Sequence, residues 1–364
     1  MDRVEAADSL HELERLAETA GFKAVSSLVQ YRDKPDGGTM AGSGKVTELK
    51  ATLGHLDAAS VIVDNELNAI QAHNLWKALD VRIYDRTEII LEIFARRARS
   101  AEAKLQVELA RLQFQLQRIP VREAQQRFTG SANVRGPGES HLQRRNVPLR
   151  RRIAQLNKKM QAIQSRQVTY DTDRRKWPIV SLVGYTNAGK STLLNVMSDC
   201  DVLVDDMLFA TLDTKTRIVW LGQGKEILLT DTVGFIRNLP HGLIASFKST
   251  LDIALRADLL LVVVDASHAA VDDQIDICRQ TLSEIGAKDV PYLLLLNKCD
   301  NGPTSSFYKN LSLRYPNAIP ISAKSGYGID DLKNAIVRKL EQHCELWRLP
   351  PSIAVGKQDN QEYE

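Results

Sequence analysis

Long apolar runs are missing from this chain of 364 residues. The longest, LLLVVV at 259–264, is far shorter than the roughly 20 residues that a bilayer-spanning helix needs, so no membrane span is expected. Cysteine is scarce as well. Cys200, Cys278, Cys299 and Cys344 are scattered, without the close pairs of zinc sites or redox motifs, which fits unpaired thiols in a reducing compartment. The N-terminal MDRVEAADSLHELERLAETAG lacks the apolar centre of a signal peptide. His241 and His268 have no partners at metal-ligand spacing. These absences point to the cytoplasm and leave open a peripheral association with a membrane surface. Excess charge is missing too: the net is only +3, so its distribution carries more than its sum.

What is present, 43% hydrophobic and 26% charged residues, is the composition of an ordinary folded protein, long enough for two or three domains. Residues 1–85 alternate short apolar runs (FKAVSSLVQ, SVIVDN, VRIYD) with helical stretches (KVTELKATLGHL, LNAIQAHNLWKAL), the pattern of a small α/β domain with parallel strands. From Arg86 apolar residues fall three and four apart through Ile90, Phe94, Ala98, Ala101, Leu105, Leu109, Leu112, Leu116 and Ile119. That spacing predicts one amphipathic helix of about 50 Å, ended by Pro120. A second stripe runs through Leu149, Ile153, Leu156, Met160 and Ile163. The two are expected to fold as a long antiparallel helical hairpin over 86–172, with the Gly-rich 128–140 at its tip. Two helices buried in a compact domain is the alternative. A phosphate-loop GTPase domain is expected over 173–345, followed by a polar tail, 346–364. The fold class is therefore α/β: a small parallel N-terminal domain, the hairpin, and a Ras-like P-loop domain.

Charge is concentrated where the hairpin should be. Between His141 and Lys176 eleven Lys or Arg stand against two acids, a local excess that favours a phosphate-rich partner such as RNA. The candidate contacts are Arg135, Arg144, Arg145, Arg150, Arg151 and Arg152. The alternative is a solvated face, or pairing with acids of the first helix such as Glu102 and Glu108.

Four motifs carry chemistry. In PIVSLVGYTNAGKSTLLNVM, a strand leads through Gly184, Tyr185, Thr186, Asn187, Ala188, Gly189, Lys190, Ser191 and Thr192 into a helix, the G-x-x-x-x-G-K-S pattern of a phosphate loop. Backbone N–H groups wrap the phosphates, Lys190 reaches the β and γ phosphates, and Ser191 ligates Mg2+. Asp231, ending EILLTD, is the expected metal carboxylate; Thr211 is expected to ligate the metal and sense the γ-phosphate, and Gly234 to offer its N–H to it. NKCD places Asn297, Lys298 and Asp300 after another apolar strand. The Asp300 carboxylate can accept both N1–H and the exocyclic amine of guanine, and ISAKSG adds Ser322, Ala323 and Lys324 at the base edge. GTP and GDP with Mg2+ are thus the expected ligands. By contrast AGSGK at 41–45 lacks the full spacing and reads as a turn before a helix. Phe235 stands where Ras-like enzymes keep a water-orienting glutamine.

GYTNAGKSTLLN, LFATLDTKTR, LLTDTVGFI and NKCD, preceded by AGSGKVTEL, YDRTEIILEIFARRARSAEAKLQVELARL and RGPGES, resemble HflX, the ribosome-associated GTPases, over about residues 20–345. The resemblance implies a GTPase, acting as a monomer, that binds the large ribosomal subunit and its rRNA through the hairpin and splits or rescues stalled ribosomes. It also implies that a hydrophobic residue at 235 is a family feature, with slow intrinsic turnover that the partner stimulates. Asn187 matches a position where related GTPases hold K+; its other role is to shape the loop. The chain departs from the family after RGPGE, where SHLQRRNVP replaces an acidic and basic helix start and Pro148 is expected to begin or break the second helix. Many relatives also carry a folded C-terminal domain, whereas only about twenty residues follow Cys344. The competing function is a nucleotide-gated RNA-binding or anti-association factor, in ribosome assembly or on tRNA, in which hydrolysis is secondary.

Overall fold

A computed structural model describes residues 3–118, 141–173, 176–199, 208–209, 211–237, 248–301, 310–311, 313–344 and 347. The chain divides into two compact units, the first made of Met1–Arg166, Met207–Leu212 and Arg237–Phe247, the second of Gln167–Asp206, Asp213–Ile236 and Lys248–Glu364.

In the first unit α1 (Arg3–Thr19) and α2 (Ser43–Leu56) are followed by β1 (Ser60–Val63), α3 (Ala69–Leu79) and β2 (Arg82–Asp85). β1 and β2 pair in parallel from Ser60↔Arg82 to Val63↔Asp85, as the alternating pattern predicts. Val46, Leu53, Leu67, Leu75, Leu79 and Ile83 close the core around them. Asn68 starts α3 with a reciprocal cap: its side chain accepts from Gln71 N at 2.9 Å, and the Gln71 side chain accepts from Asn68 N at 3.1 Å. α2 begins at Ser43 with Gly42 as its N-cap, so only Ala41 and Gly42 of AGSGK precede the helix, and Ser43–Lys45 form its first turn instead of a turn ahead of it. FKAVSSLVQ, however, forms no strand; it runs as irregular chain with Val25 55% exposed. Among the described residues the β1–β2 sheet has no third strand, so an apolar run there gains no ladder partner.

The single helix expected from Arg86 is two helices, α4 (Arg86–Arg97) and α5 (Ala101–Gln117). Ala98 turns to an extended backbone (φ −63, ψ 109), and the Ser100 hydroxyl accepts from Ala103 N at 3.0 Å, capping a new helix start. The apolar spacing continues across the break in sequence but not in burial: Ile90 and Phe94 before it are buried, whereas Ala101 after it is exposed and Leu105 half-buried, and α5 buries Ala103 and Val107 with Leu109. Pro120 and the 128–140 tip lie outside the described residues. The next helix, α6 (His141–Asp173), carries Pro148 inside it instead of starting there. Proline removes one backbone donor and crowds the carbonyl four residues earlier, so this turn of α6 is held with one hydrogen bond fewer. Leu156 and Met160 are buried as the stripe predicts.

The second unit is built on a six-stranded sheet in the order β4-β5-β3-β6-β7-β8. Its strands are β3 (Ile179–Gly184), β4 (Lys215–Gly222), β5 (Lys225–Asp231), β6 (Leu259–Asp265), β7 (Tyr292–Asn297) and β8 (Ile319–Pro320). Only β4 is antiparallel to its neighbour. The helices are α7 (Lys190–Met197), α8 (Lys248–Leu255), α9 (Val271–Glu284) and α10 (Ile329–His343). β3 and β6 are buried nearly throughout, the signature of parallel strands covered on both faces. The chain leaves β3 toward β5 on one side, while β6 pairs on its other side. The carboxyl end of β3 is therefore a topological switch point, where open α/β sheets bind ligands.

Candidate nucleotide-binding site

At that point the sheet delivers its chemistry from four strand ends. Gly184 closes β3 at φ 144, and a Cβ there would stand 2.1 Å from the Val263 carbonyl on β6, so no side chain fits. The loop 185–189 then turns into α7, with Gly189 as N-cap at φ 93 and Asn187 also left-handed at φ 59. The backbone N–H groups opening α7 have no intrahelical acceptors, which makes this a ready anion site.

Lys190 is buried under the loop, its ammonium donating to the carbonyls of Tyr185 at 2.8 Å and Gly184 at 3.0 Å. Burial pushes its pKa below the usual lysine value, against the pull of the nearby Asp231 carboxylate. Polyanionic phosphates would be the natural counter-charge for this ammonium. Next to it Ser191 Oγ donates to Asp231 Oδ2 at 2.6 Å. A hydroxyl and a carboxylate in contact beside a phosphate cradle are a hard-oxygen donor set, and Mg2+ fits them.

Asn297, at the end of β7, ties the loops together. Its amide nitrogen donates to the Ala188 carbonyl at 2.7 Å and its amide oxygen accepts from Ala323 N at 2.9 Å. A Cβ at Gly189 would lie 2.2 Å from that amide nitrogen, which explains the second loop glycine. Asp300 accepts from Ser322 Oγ at 2.7 Å, and this hydrogen bond is the first cause that holds its carboxyl below the usual range. Ser322 is itself braced by Ser325 N at 3.1 Å. Asp300 and Lys324 are exposed while Ser322 and Ala323 are buried, so the carboxylate stands open to a base above a fixed floor.

The DTVGF segment also meets the phosphate loop. Phe235 N donates to the Gly184 carbonyl at 2.9 Å and its own carbonyl accepts from Thr186 N at 2.7 Å, while the residue as a whole is 1% exposed. Gly234 stands against Thr186, and a Cβ on it would lie 2.9 Å from Lys190 Nζ.

The structure thus brings together Gly184 to Ser191, Asp231, Gly234, Asn297, Ala323, Asp300 and Ser322. Thr192 follows on α7, half-buried. Thr211 is buried and belongs to the first compact unit. Of the RNA candidates, Arg150 and Arg151 are exposed on α6. Arg152 instead pairs with Glu108 of α5 at 2.7 Å, the outcome in which basic residues meet first-helix acids. Arg144 and Arg145 fall on α6 with side chains outside the described set, as does all of Arg135.

Two partners escaped the sequence. Asp265, ending β6, pairs with Lys298 Nζ at 2.7 Å and so fixes the lysine stem of NKCD; an acid closing LLLVVVD was the available signal. Buried Cys278 on α9 has its thiol pushed up to about 12 by burial, against Lys190 and a hydrogen bond from the Tyr185 backbone, and no spacing rule points to it.

Comparison with known proteins gives three family matches: "GTP-binding GTPase N-terminal" over residues 7–95, "GTP-binding GTPase Middle Region" over 97–174 and "50S ribosome-binding GTPase" over 179–298. GTPase HflX of Lacrimispora saccharolytica is 42% identical over 338 residues, covering 92% of this chain and 79% of that protein. GTPase HflX of Escherichia coli is 39% identical over 353 residues, covering 94% and 82%. Among solved structures, a GTP-binding protein from Sulfolobus solfataricus in complex with GDP is 26% identical, covers 91% of this chain and 95% of its own, and has a TM-score of 0.46.

Proposed function

Because the chain belongs to the HflX family of GTPases, we propose that it hydrolyses GTP to GDP and phosphate and uses this cycle on the large ribosomal subunit, promoting dissociation or rescue of stalled ribosomes. The observation that carries guanine-nucleotide binding is the Asn297 junction. One amide holds both the phosphate loop and the 322–324 loop, so phosphates and base are gripped by a single rigid frame. Backbone N–H groups of 187–191 take the phosphate oxygens, Lys190 exchanges its two carbonyl partners for β and γ oxygens, and Asp300 accepts the two guanine donors. Lys298 covers the ring, with Lys324 at its edge. Mg2+, when held by Ser191, Asp231 and, in the GTP state, Thr211, supplies charge neutralisation at the β and γ phosphates.

Phe235 offers no group to aim a water, so Gly234 N–H and Lys190 are left to stabilise the transferring phosphoryl group. Slow turnover by the protein alone follows, with the missing help coming from the ribosomal partner, and K+ at Asn187 is a second source of positive charge. The exposed Arg150 and Arg151 on α6 are the proposed rRNA contacts. No helix among the described residues is long and apolar enough to cross a membrane. The proposed form is a monomer, and the proposed place of action is the cytoplasm, where ribosomes are.

Sedimentation of purified ribosomes with the protein and GTP, a non-hydrolysable GTP analogue, or GDP tests this. Co-migration with the large subunit and loss of intact ribosomes in GTP is expected. Equal splitting with the analogue assigns hydrolysis to release of the factor. Absence of binding in every nucleotide state overturns the ribosomal assignment while leaving the GTPase intact.

A further inference from the structure

DRTEIILEIFA, singled out in the sequence, takes no part in the nucleotide site, yet it forms α4, and α4 holds two short segments that flank that site in the chain. Its first residue, Arg86, is 2% exposed. Asp64 at 2.6 Å and Glu12 lock its guanidinium, which also donates to the main-chain carbonyl of Arg237 at 3.1 Å. Arg237 is joined to Phe235 through Ile236. Two turns further along α4, Phe94 (1% exposed) meets Phe209 (2% exposed) edge to face, with ring centroids 4.8 Å apart and planes at 81°. Phe209 precedes Thr211 by two residues and sits at φ 54. That left-handed backbone is costly for a bulky side chain and persists only where packing holds it. One helix therefore fixes the chain just before Thr211 and just after Gly234–Phe235, the residues read above as sensors of the γ-phosphate.

We propose that Arg86 and Phe94 are positioning residues, through which α4 holds the Thr211 and Gly234 segments ready for the γ-phosphate of GTP. This rests on the GTPase reading and adds to it a job for DRTEIILEIFA. Arg86 suits the task because a planar guanidinium serves two carboxylates and a carbonyl at once; an ammonium cannot match that fork. Phe94 suits it because an edge-to-face pair has a preferred geometry beyond simple burial. GDP lacks the γ-phosphate, so loosening either anchor weakens GTP more than GDP. The γ-phosphate contacts then bear the cost of ordering their own segments.

The test uses the full chain with fluorescent GDP and a fluorescent non-hydrolysable GTP analogue, measuring both affinities and the melting temperature. Phe94→Leu and Arg86→Lys are each expected to shift the ratio of the two affinities against the GTP analogue by about fivefold or more, the lower range of site-to-site coupling. Phe209→Leu matches Phe94→Leu, and the double variant adds nothing further, because both remove one contact. Ile89→Val, fully buried on the same helix, lowers the melting temperature and leaves the ratio alone. An unchanged ratio in folded Phe94→Leu and Phe209→Leu overturns the proposal, whatever Arg86→Lys does. A wild-type chain that binds neither nucleotide defeats the GTPase reading and this inference with it; one that binds both, with the variants keeping the wild-type ratio of affinities, defeats only the inference.

Discussion

Asn297 uses both ends of its amide on main chain, donating to Ala188 and accepting from Ala323. Asn297→Ala leaves a buried carbonyl and a buried N–H without these partners, so urea unfolding should show a loss of about 2–3 kcal/mol, with a fall in GDP affinity larger than the stability loss alone explains. Asp300, one loop turn away, is the proposed acceptor for the guanine donors. Asp300→Asn reverses one of its hydrogen bonds and should move preference from guanine to xanthine nucleotides in competition binding; equal loss for both bases would contradict the role. Lys190 gives a pH signature. Its folded pKa is depressed by burial, so the free site holds the ammonium proton less tightly than an unfolded chain does, and protonation works against the fold as pH falls below the ordinary lysine value of roughly 10.4. A bound phosphate favours the ammonium. GDP binding should therefore take up a proton in the alkaline window below that ordinary value, measurable by calorimetry in buffers of different ionisation heat.

Elements show which physics the sequence displays openly. The phosphate loop, NKCD and the parallel strands beneath them were legible because each motif sits where an apolar run stops, and glycines fall where a Cβ would collide with Val263 or Asn297. The division between α4 and α5 was masked because apolar spacing continues through Ala98 and Ala101; only Ser100, a helix-starting residue, marked it. Ser100→Ala tests that division directly. As the N-cap of α5 the serine contributes about 1 kcal/mol, so the alanine variant should melt lower. In the middle of one continuous helix the same change would be neutral or stabilising. FKAVSSLVQ misled for the opposite reason: apolar composition alone cannot show whether a strand finds a partner. On α6, charge was legible and pairing was not, since Arg152 meets Glu108 while Arg150 and Arg151 stay exposed. Arg150→Gln with Arg151→Gln should weaken ribosome binding and flatten its salt dependence by about two units of log–log slope if each contacts one phosphate. Arg152→Gln should change that slope little and cost under about 1 kcal/mol, as for an exposed ion pair.

For the whole molecule, the phosphate loop, Asp231, Gly234, Asn297, Asp300 and Ser322 fall in one compact unit, and the other contains α4, Thr211, the chain around Phe209 and Arg237, and most of the basic helix. The net charge of +3 hides a strongly basic stretch from 141 to 176, so attraction to a polyanion resides in one element and the remainder is acidic. The cycle proposed above draws on both units, with turnover low until the partner is engaged. Phosphate release from GTP, measured alone and with purified large ribosomal subunits, beside ATP and Lys190→Ala controls, tests this most directly. Slow release by the protein alone is expected, with stimulation by large subunits of about tenfold or more through transition-state charge stabilisation, and almost none from ATP or from Lys190→Ala. ATP hydrolysed as fast as GTP, or a GTP rate indifferent to large subunits, would contradict it.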